Sequence, residues 1–349
     1  MKTITRVLAL FLLVSQLLCT VANAERMALT FPLDGAQLVL DAEIWGKREK
    51  AAIYPCKTHE WDEARFAQAL MGNKTYHKGT VQGDMGAIYP RYFTEDGTEM
   101  VVRQTSISFY TANASLLEGI AKNYAQYGES ILHGAALEEA DYAGFATFTP
   151  NDAIAAVLKL AQELDLPLCE ERMGLIPLPA AIFTQVFRYY ESQYEDFVMP
   201  DFSAPDCYWV VAPVQMDGIP QVMAPFSLRS EESFIDSVSI NLLLSRDGIL
   251  SATFPAWYEA AGAAEESEEL LSPEEAAQAL ADALSMLLLE RDIAIEILSL
   301  EYIPLETRQG WLLTPVWVFY TAPYYNEETG NYSLLSNYYI HAVTGEYLY

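Results

Sequence analysis

Alternating and helical spacings of apolar residues predict a succession of short strands and helices. In the N-terminal third, alternation and β-branched content predict strands at residues 36–45, 51–55 and 99–110. Helices are predicted at about 60–71, ending at Gly72, and after Asn113 as N-cap, ending at Gly128. Residues 25–148 are therefore predicted to form a compact α+β domain.

The middle of the chain opens with a helix-start signal. Thr149 is a suitable N-cap, Pro150 suits the first helical position and Asp152 supplies the acid of a capping box. Residues 179–195 are predicted to be helical, although their β-branched and aromatic content would also suit a strand. Strands are predicted at 207–215, 236–245 and 249–254, the last two joined by a hairpin turn at 246–248.

A similar pattern then recurs. Ser272 and Glu275 form a second capping box around Pro273, 123 residues after the first one. Strands follow at about 293–303, 311–321 and 337–343, and a turn at Thr344-Gly345 leads into a last strand. We interpret this recurrence as two related modules, each with a helix packed on an antiparallel sheet. The predicted α+β fold comprises the N-terminal domain, a module at 149–262, an acidic linker at 263–271 and a module at 272–349.

The N-terminus has the features of an export signal. Lys2 and Arg6 precede an apolar run at 7–18, and Ala22 and Ala24 match a signal-peptidase site. Cleavage is predicted after Ala24, which makes the mature chain secreted and extracytoplasmic. Lipid attachment at Cys19 is the less favoured alternative, because Leu18 is large for a lipoprotein-processing site. The remaining sequence contains no apolar stretch long enough to span a membrane.

The net charge of the chain limits the classes of partner that it is expected to bind. The chain has 20 basic and 48 acidic side chains, and removal of Lys2 and Arg6 changes the net charge from −28 to −30. Such a surface repels nucleic acid and anionic lipid. The acids are interpreted as a solvated surface, with a face for a cationic partner or Ca²⁺ as the alternative.

Aromatic residues and cysteines add two further expectations. The 22 tyrosines and 6 tryptophans suit β-rich cores, and a sugar- or peptide-binding platform is the alternative use. After cleavage three cysteines remain, at 56, 169 and 207, so they cannot all be paired. A bridge between Cys169 and Cys207 is the preferred pairing, and the sequence leaves open whether it forms.

No motif predicts a catalytic, cofactor-binding or metal-binding residue. The histidines at 59, 77, 133 and 341 are far apart, and residues 59–62 (HEWD) are interpreted as the start of a helix rather than a metal site. Residues 128–130 (GES) suit a helix-end turn, and residues 324–331 suit a hairpin loop better than a Ca²⁺ loop. Cys169 is interpreted as a core or disulfide cysteine rather than a nucleophile. A pair of carboxylates for glycoside hydrolysis could not be recognised by spacing among so many acids.

The C-terminal residues resemble a known family. Residues 311–319 (WLLTPVWVF) and 338–346 (YYIHAVTGE) are similar to the closing strands of PepSY-like modules and of YycH/YycI-type extracytoplasmic regulators. His341 stands where that pattern more often has Asn or Asp. Residues 214–220 (VQMDGIP) and the turn at 247–248 resemble the first half of such a module. Residues 40–44 (LDAEI) resemble the opening of secreted proteins of Gram-positive gut bacteria.

The resemblance implies a non-catalytic role: holding a peptide or protein partner, tuning a sensor kinase or restraining a peptidase. We therefore predict a non-enzymatic binding or regulatory protein of the cell envelope, without cofactors. The alternative is a secreted hydrolase that acts on cell-wall or dietary glycan through two carboxylates, and a third possibility is a structural surface protein. A binding module should show a shallow aromatic groove or an open sheet edge.

Overall fold

The computed structural model describes residues 25–83, 86–132, 136–224, 226–227, 234–235, 237–264, 267–289, 291–308, 310–322, 324–326, 331–333 and 337–348. The α-helices within these ranges are α1 (Glu63–Met71), α2 (Ala114–Tyr127), α3 (Pro150–Leu164), α4 (Ala180–Gln193) and α5 (Pro273–Leu284). Short 3₁₀ helices lie at Gly128–Leu132, Glu139–Ala146 and Glu170–Arg172. The predicted signal peptide, residues 1–24, lies outside the described residues.

The described chain divides into two compact units, and each is assembled from separated segments. Unit 1 contains residues 60–214 and 239–256, and unit 2 contains residues 25–59, 215–238 and 257–348. This division differs from the contiguous one that the sequence predicted at 148/149 and 262/263. Residues 25–59 belong with the C-terminal strands, because their strands pair with strands beyond residue 290.

Unit 1 contains an eight-stranded sheet in which every neighbouring pair is antiparallel. Its spatial order is β5 (His77–Gln82), β6 (Ile88–Phe93), β7 (Glu99–Val102), β8 (Ser106–Tyr110), β16 (Gly248–Pro255), β15 (Ile240–Ser245), β10 (Cys207–Ala212) and β9 (Gly174–Leu178). The predicted hairpin is confirmed, since Ser245 pairs with Gly248 around a two-residue turn.

Helices lie on both faces of this sheet. On one face, α2 and α4 share an apolar cluster with β9, β10 and β15, in which Trp209 is 3% exposed. On the other face, the Phe66 ring of α1 contacts the Phe254 ring edge-on, with centroids 5.1 Å apart. The Tyr92 hydroxyl donates to Glu63 on the same side at 2.8 Å.

Unit 2 is built on a sheet that joins the two ends of the described chain. Its spatial order is β1 (Glu25–Leu33), β2 (Ala36–Trp45), β19 (Ile293–Thr307), β20 (Gly310–Thr321), β23 (Tyr338–His341) and β24 (Tyr347–Leu348). The β2–β19 pair is parallel, and the others in this order are antiparallel. The strand β4 (Tyr54–Thr58) pairs with β20 and with β17 (Tyr258–Ala260).

Four small two-stranded sheets complete the described strands. They pair β3 (Lys50–Ala51) with β18 (Glu268–Glu269), β11 (Gln215–Met216) with β12 (Ile219–Pro220), β13 (Phe226–Ser227) with β14 (Phe234–Ile235), and β21 (Tyr324–Asn326) with β22 (Asn331–Ser333). The β11–β12 hairpin belongs to unit 2, with Ile219 in its core.

Helix α5 covers one face of the unit 2 sheet. Its side chains at 276, 277, 280, 281 and 284 are buried with Leu298, Leu300, Trp317 and Phe319 of the central strands. The Trp317 indole donates to the Leu271 carbonyl at 3.0 Å, which ties the segment before α5 to the sheet. The predicted linker at 263–271 is thus corrected: its described end pairs as β18 and packs on the core.

The α+β fold class is confirmed, and so are several local signals. Both predicted capping boxes are formed, by Thr149 with Asp152 and by Ser272 with Glu275. Gly72 ends α1 with a positive φ of 60°, as expected. The ambiguous stretch at 179–195 is helical, because α4 buries one apolar face against unit 1.

Other local predictions are wrong. The single strand predicted at 99–110 is two strands, because the chain turns at 103–105 and Arg103 N–H donates to the Ser106 carbonyl at 2.7 Å. Asn113 precedes α2 in a left-handed conformation (φ 65°), and its side chain makes no capping hydrogen bond.

Among the described residues, no helix is long and apolar enough to cross a membrane.

The residues that precede α5 and α2, Ser272 and Asn113, allow a direct comparison of two helix starts. Ser272→Ala should lower the free energy of unfolding by about 1 kcal/mol, because the Glu275 N–H loses its acceptor. Asn113→Gly should leave stability unchanged or raise it, since glycine tolerates the positive φ and no cap is lost. Denaturant unfolding of both variants checks the prediction, and a large loss at Asn113 would contradict it.

Candidate functional site

One region of the unit 1 sheet presents side chains beyond the helix-covered part of its face. The apolar cluster under α2 and α4 involves β9, β10 and β15, with Leu250 of β16 at its margin. Strand registers place alternate residues of β5, β6 and β7 on that same face. We define the β5–β7 platform as the exposed and half-buried side chains on this face, together with Arg103, which follows β7 and lies beside the Tyr89 ring; its members are His77, Val81, Tyr89, Arg91, Phe93, Glu99 and Arg103.

Two glycines of the β5 segment hold the aromatic rings of the platform. A Cβ atom at Gly83 would lie 2.4 Å from the Tyr89 ring, and one at Gly79 would lie 3.3 Å from the Phe93 ring. The two glycines are four residues apart, and so are the two aromatic residues. Both rings therefore lie on the same face of their strand. The rings cover backbone that glycine leaves bare, and this packing fixes them in place.

Two guanidinium groups lie beside these rings. Arg91 has its Cζ atom 5.0 Å from the Phe93 ring centroid, and its Nε donates to Glu99 at 2.8 Å. Arg103 has its Cζ atom 5.8 Å from the Tyr89 ring centroid and donates to the Ser108 hydroxyl at 2.9 Å. Arg91 is thus neutralised by a carboxylate, whereas Arg103 makes no ion pair with the described residues.

The platform ends at an open sheet edge. Within the described part of the chain, β5 pairs only with β6, so its other side offers backbone N–H and C=O groups. Four of its six residues are exposed. An extended segment could add to this edge and lay alternate side chains over the aromatic rings. The platform combines the two features expected of a binding module.

The sequence patterns missed this region. Gly79, Gly83 and Pro90 interrupt the alternation of β-branched residues, so no strand is predicted between residues 72 and 98. A usable signal is present in the paired spacings: glycines at 79 and 83, and aromatic residues at 89 and 93. Aromatic rings that lie over glycines of the neighbouring strand, here diagonally across the β5–β6 pair, are a known way to stabilise a hairpin.

The structure separates the residues that the sequence offered as a metal site. Asp62 accepts from the Arg65 N–H at 3.0 Å, which confirms its interpretation as a helix-start acid. His59 instead stacks on Trp257 at 3.9 Å, and its Nδ1 lies 3.0 Å from Glu259. The His59 and Lys57 side chains lower the pKa of Glu259. Throughout the described ranges, no group of three His, Cys, Asp or Glu side chains is arranged to hold a metal ion.

The structure also places the other residues that the sequence offered as candidates. Gly128 ends α2 with φ 58°, and the flanks of the 324–331 segment pair as a hairpin, as predicted. His133 and residues 327–330 lie outside the described residues. His341 Nδ1 accepts from the N–H groups of residues 343 and 344, at 3.2 and 3.3 Å, and burial lowers its pKa. A neutral imidazole thus takes the acceptor role that an Asn or Asp oxygen could fill in this turn.

A buried carboxylate in unit 2 is held by the fold. Glu301 is 1% exposed, and its two oxygens accept from the Tyr320 hydroxyl at 2.6 Å and the Met223 N–H at 2.9 Å. Burial, reinforced by the Glu301 charge, raises the pKa of Tyr320 well above its ordinary value. Tyr320 therefore stays protonated and donates, so both carboxylate oxygens are engaged by the protein itself.

The preferred disulfide is not formed. Cys56 and Cys207 are free thiols, and all three cysteines are buried. Burial raises the pKa of Cys56 to about 11, and burial together with the charge of Asp206 raises that of Cys207 well above its ordinary value. Such thiols are poor nucleophiles at neutral pH, in agreement with a core role.

Comparisons with known proteins bear on the fold. No protein-family model matches the chain, and no curated protein is significantly similar to it. The structure is similar to that of an uncharacterized protein from Eubacterium rectale ATCC 33656, with a TM-score of 0.63, 16% sequence identity and 96% of each chain covered. It also matches the Bacillus megaterium YpeB C-terminal domain, with a TM-score of 0.29, 10% identity, and 84% of this chain and 99% of that chain covered. The first likeness shows a shared fold along nearly the whole chain.

The glycine–aromatic packing can be tested by adding one methyl group. Gly83→Ala should lower the free energy of unfolding by about 1–3 kcal/mol, because the new Cβ displaces the Tyr89 ring. Gly119→Ala is the matched control: this helical site in α2 has open space around it, so stability should rise by about 0.5–1 kcal/mol. Equal effects in thermal unfolding would contradict the packing.

The state of the cysteines can be counted directly. In denaturant without reductant, residues 25–349 should react with a thiol reagent at three sites, since neither Cys56 nor Cys207 is in a disulfide. The folded protein should react slowly at neutral pH, because all three thiols are buried and burial raises the pKa of Cys56 and Cys207. A count of one in denaturant would instead indicate the bridge between Cys169 and Cys207.

Proposed function

We propose that the chain is an extracytoplasmic, non-enzymatic protein that holds an extended segment of a protein or peptide partner on the β5–β7 platform. The observation that carries this proposal is the pairing of two fixed aromatic rings with an open strand edge. The edge offers hydrogen bonds to any extended backbone, and the rings supply the contacts that distinguish one side chain from another. Together they favour binding without chemistry.

The charges of the platform suggest what the partner carries. The mature chain is strongly acidic, with 48 acidic side chains, yet Arg103 lies here without a carboxylate partner among the described residues. A carboxylate on the partner would gain a charge-assisted hydrogen bond to this guanidinium, held beside the Tyr89 ring. An acidic or carboxylate-bearing segment is therefore the favoured ligand.

The proposal also includes secretion and a regulatory role, and both of these rest on the sequence. The predicted signal peptide would deliver residues 25–349 outside the cytoplasm. The resemblance to PepSY-like modules favours a role in restraining or tuning a partner in the cell envelope. The partner is then expected among envelope proteins rather than nucleic acids.

The test is capture of envelope proteins by the mature chain, residues 25–349, with bound proteins identified by mass. Arg103→Ala should weaken binding of the captured partner about tenfold, as expected for loss of one well-placed anchor. Arg246→Ala is the matched control, since it makes the same charge change at an exposed hairpin turn of unit 1. Both variants keep the core intact.

The outcomes separate the proposed function from its rivals. Loss of binding for Arg103→Ala alone supports the platform, and equal loss for both variants would assign binding to overall charge. Release of glycan from cell wall by the mature chain, with no captured protein, would favour the hydrolase and overturn the proposal. Full capture by Arg103→Ala would also exclude this site.

A further inference from the structure

The strand β1 forms an edge of the unit 2 sheet. In the described part of the chain it pairs only with β2, in continuous register from Glu25↔Ile44 to Leu33↔Ala36. Because a two-residue turn joins the strands, Leu33 and Ala36 form a hydrogen-bonded pair. Odd-numbered residues of β1 therefore bond to β2, and the N–H and C=O groups of Arg26, Ala28 and Thr30 point outward.

This edge has few of the devices that prevent strands from pairing. Protected edges are usually short or bulged, or carry proline and charges. The strand β1 has nine residues without a bulge, and residues 27–31 (MALTF) carry no charge. Its proline, Pro32, lies next to the turn. By comparison, the edge strand β24 has two residues, and β9 has five with Pro177 among them.

The side chains of β1 identify a suitable occupant. Leu29, Phe31 and Leu33 pack against the core below α5 but stay partly exposed at the edge. If β1 of a second copy pairs with this edge in an antiparallel orientation, the even-numbered residues of the two strands hydrogen-bond to each other. The odd-numbered residues of one copy then lie opposite the odd-numbered residues of the other. The apolar row of one copy would then continue into the same row of the other.

Charge at the edge permits this arrangement. The two charged side chains of β1 are both ion-paired, Arg26 with Asp41 at 2.6 Å and Glu25 with Lys47 at 3.0 Å. The strand itself therefore carries no net charge, although the mature chain carries a net charge of −30. We propose that two mature chains associate through antiparallel β1–β1 pairing, which makes one continuous sheet across a two-fold axis.

The test compares the oligomeric state of the mature chain, residues 25–349, by sedimentation velocity over a range of protein concentrations at about 0.15 M salt, where long-range repulsion is screened. The wild type should be dimeric at the higher concentrations. Ala28→Pro removes one outward N–H without touching a bond to β2, and it should shift the protein to monomer. Ala28→Thr keeps the N–H and should remain dimeric.

Amide exchange tests the same pairing without a variant, in case Ala28→Pro does not fold. The N–H groups of Arg26, Ala28 and Thr30 should exchange slowly in the dimer and fast on dilution, whereas those of Met27, Leu29 and Phe31 should stay slow in both. A wild type that is monomeric at every concentration would overturn the proposal. Protection of the outward amides only when an envelope protein is added would assign the edge to a foreign strand and would also overturn it.

Discussion

The parallel pairing of β2 with β19 is the contact on which unit 2 depends. It sets Leu38 beside Ile293 and Leu40 beside Ile295, so residues some 255 positions apart share one strand register. Both strands contribute buried side chains to the core below α5, including Leu38, Leu40, Leu298 and Leu300. Without this pairing the N-terminal hairpin would be an isolated two-stranded ribbon, which is marginally stable in water. The pairing makes that hairpin part of an eight-stranded sheet.

The extent to which sequence predicts this structure depends on the range of the interaction involved. Capping boxes at Thr149 and Ser272 and the turn at 246–247 were recognised because their donors and acceptors are within four residues. Most strands beyond residue 290 were also recognised from alternation. The pairing of β2 with β19 was not, since no local pattern in either strand identifies its partner. Asn113 shows the limit of a local rule: a suitable residue type takes a conformation in which its side chain does not cap.

The candidate site was unpredictable for a related reason. Its strands β5 and β6 lack the β-branched alternation that marks a half-buried strand, because they are stabilised by rings that lie on glycines. The information is divided between two strands and becomes visible only when the hairpin register is known. The same packing serves recognition, since rings that are held from below lose little conformational freedom when a ligand covers them.

The segmented composition of the two units affects how the chain can fold. From residue 25 onward the chain passes from unit 2 to unit 1 and back twice before it ends in unit 2. During synthesis the first strands emerge long before β19 and β20, which must be present to complete their sheet. Loops of this length make such contacts slow to form. The strands β1 and β2 therefore cannot complete their sheet until β19 and β20 have been made. Removal of β19 and β20 should leave β1 and β2 without a stable fold.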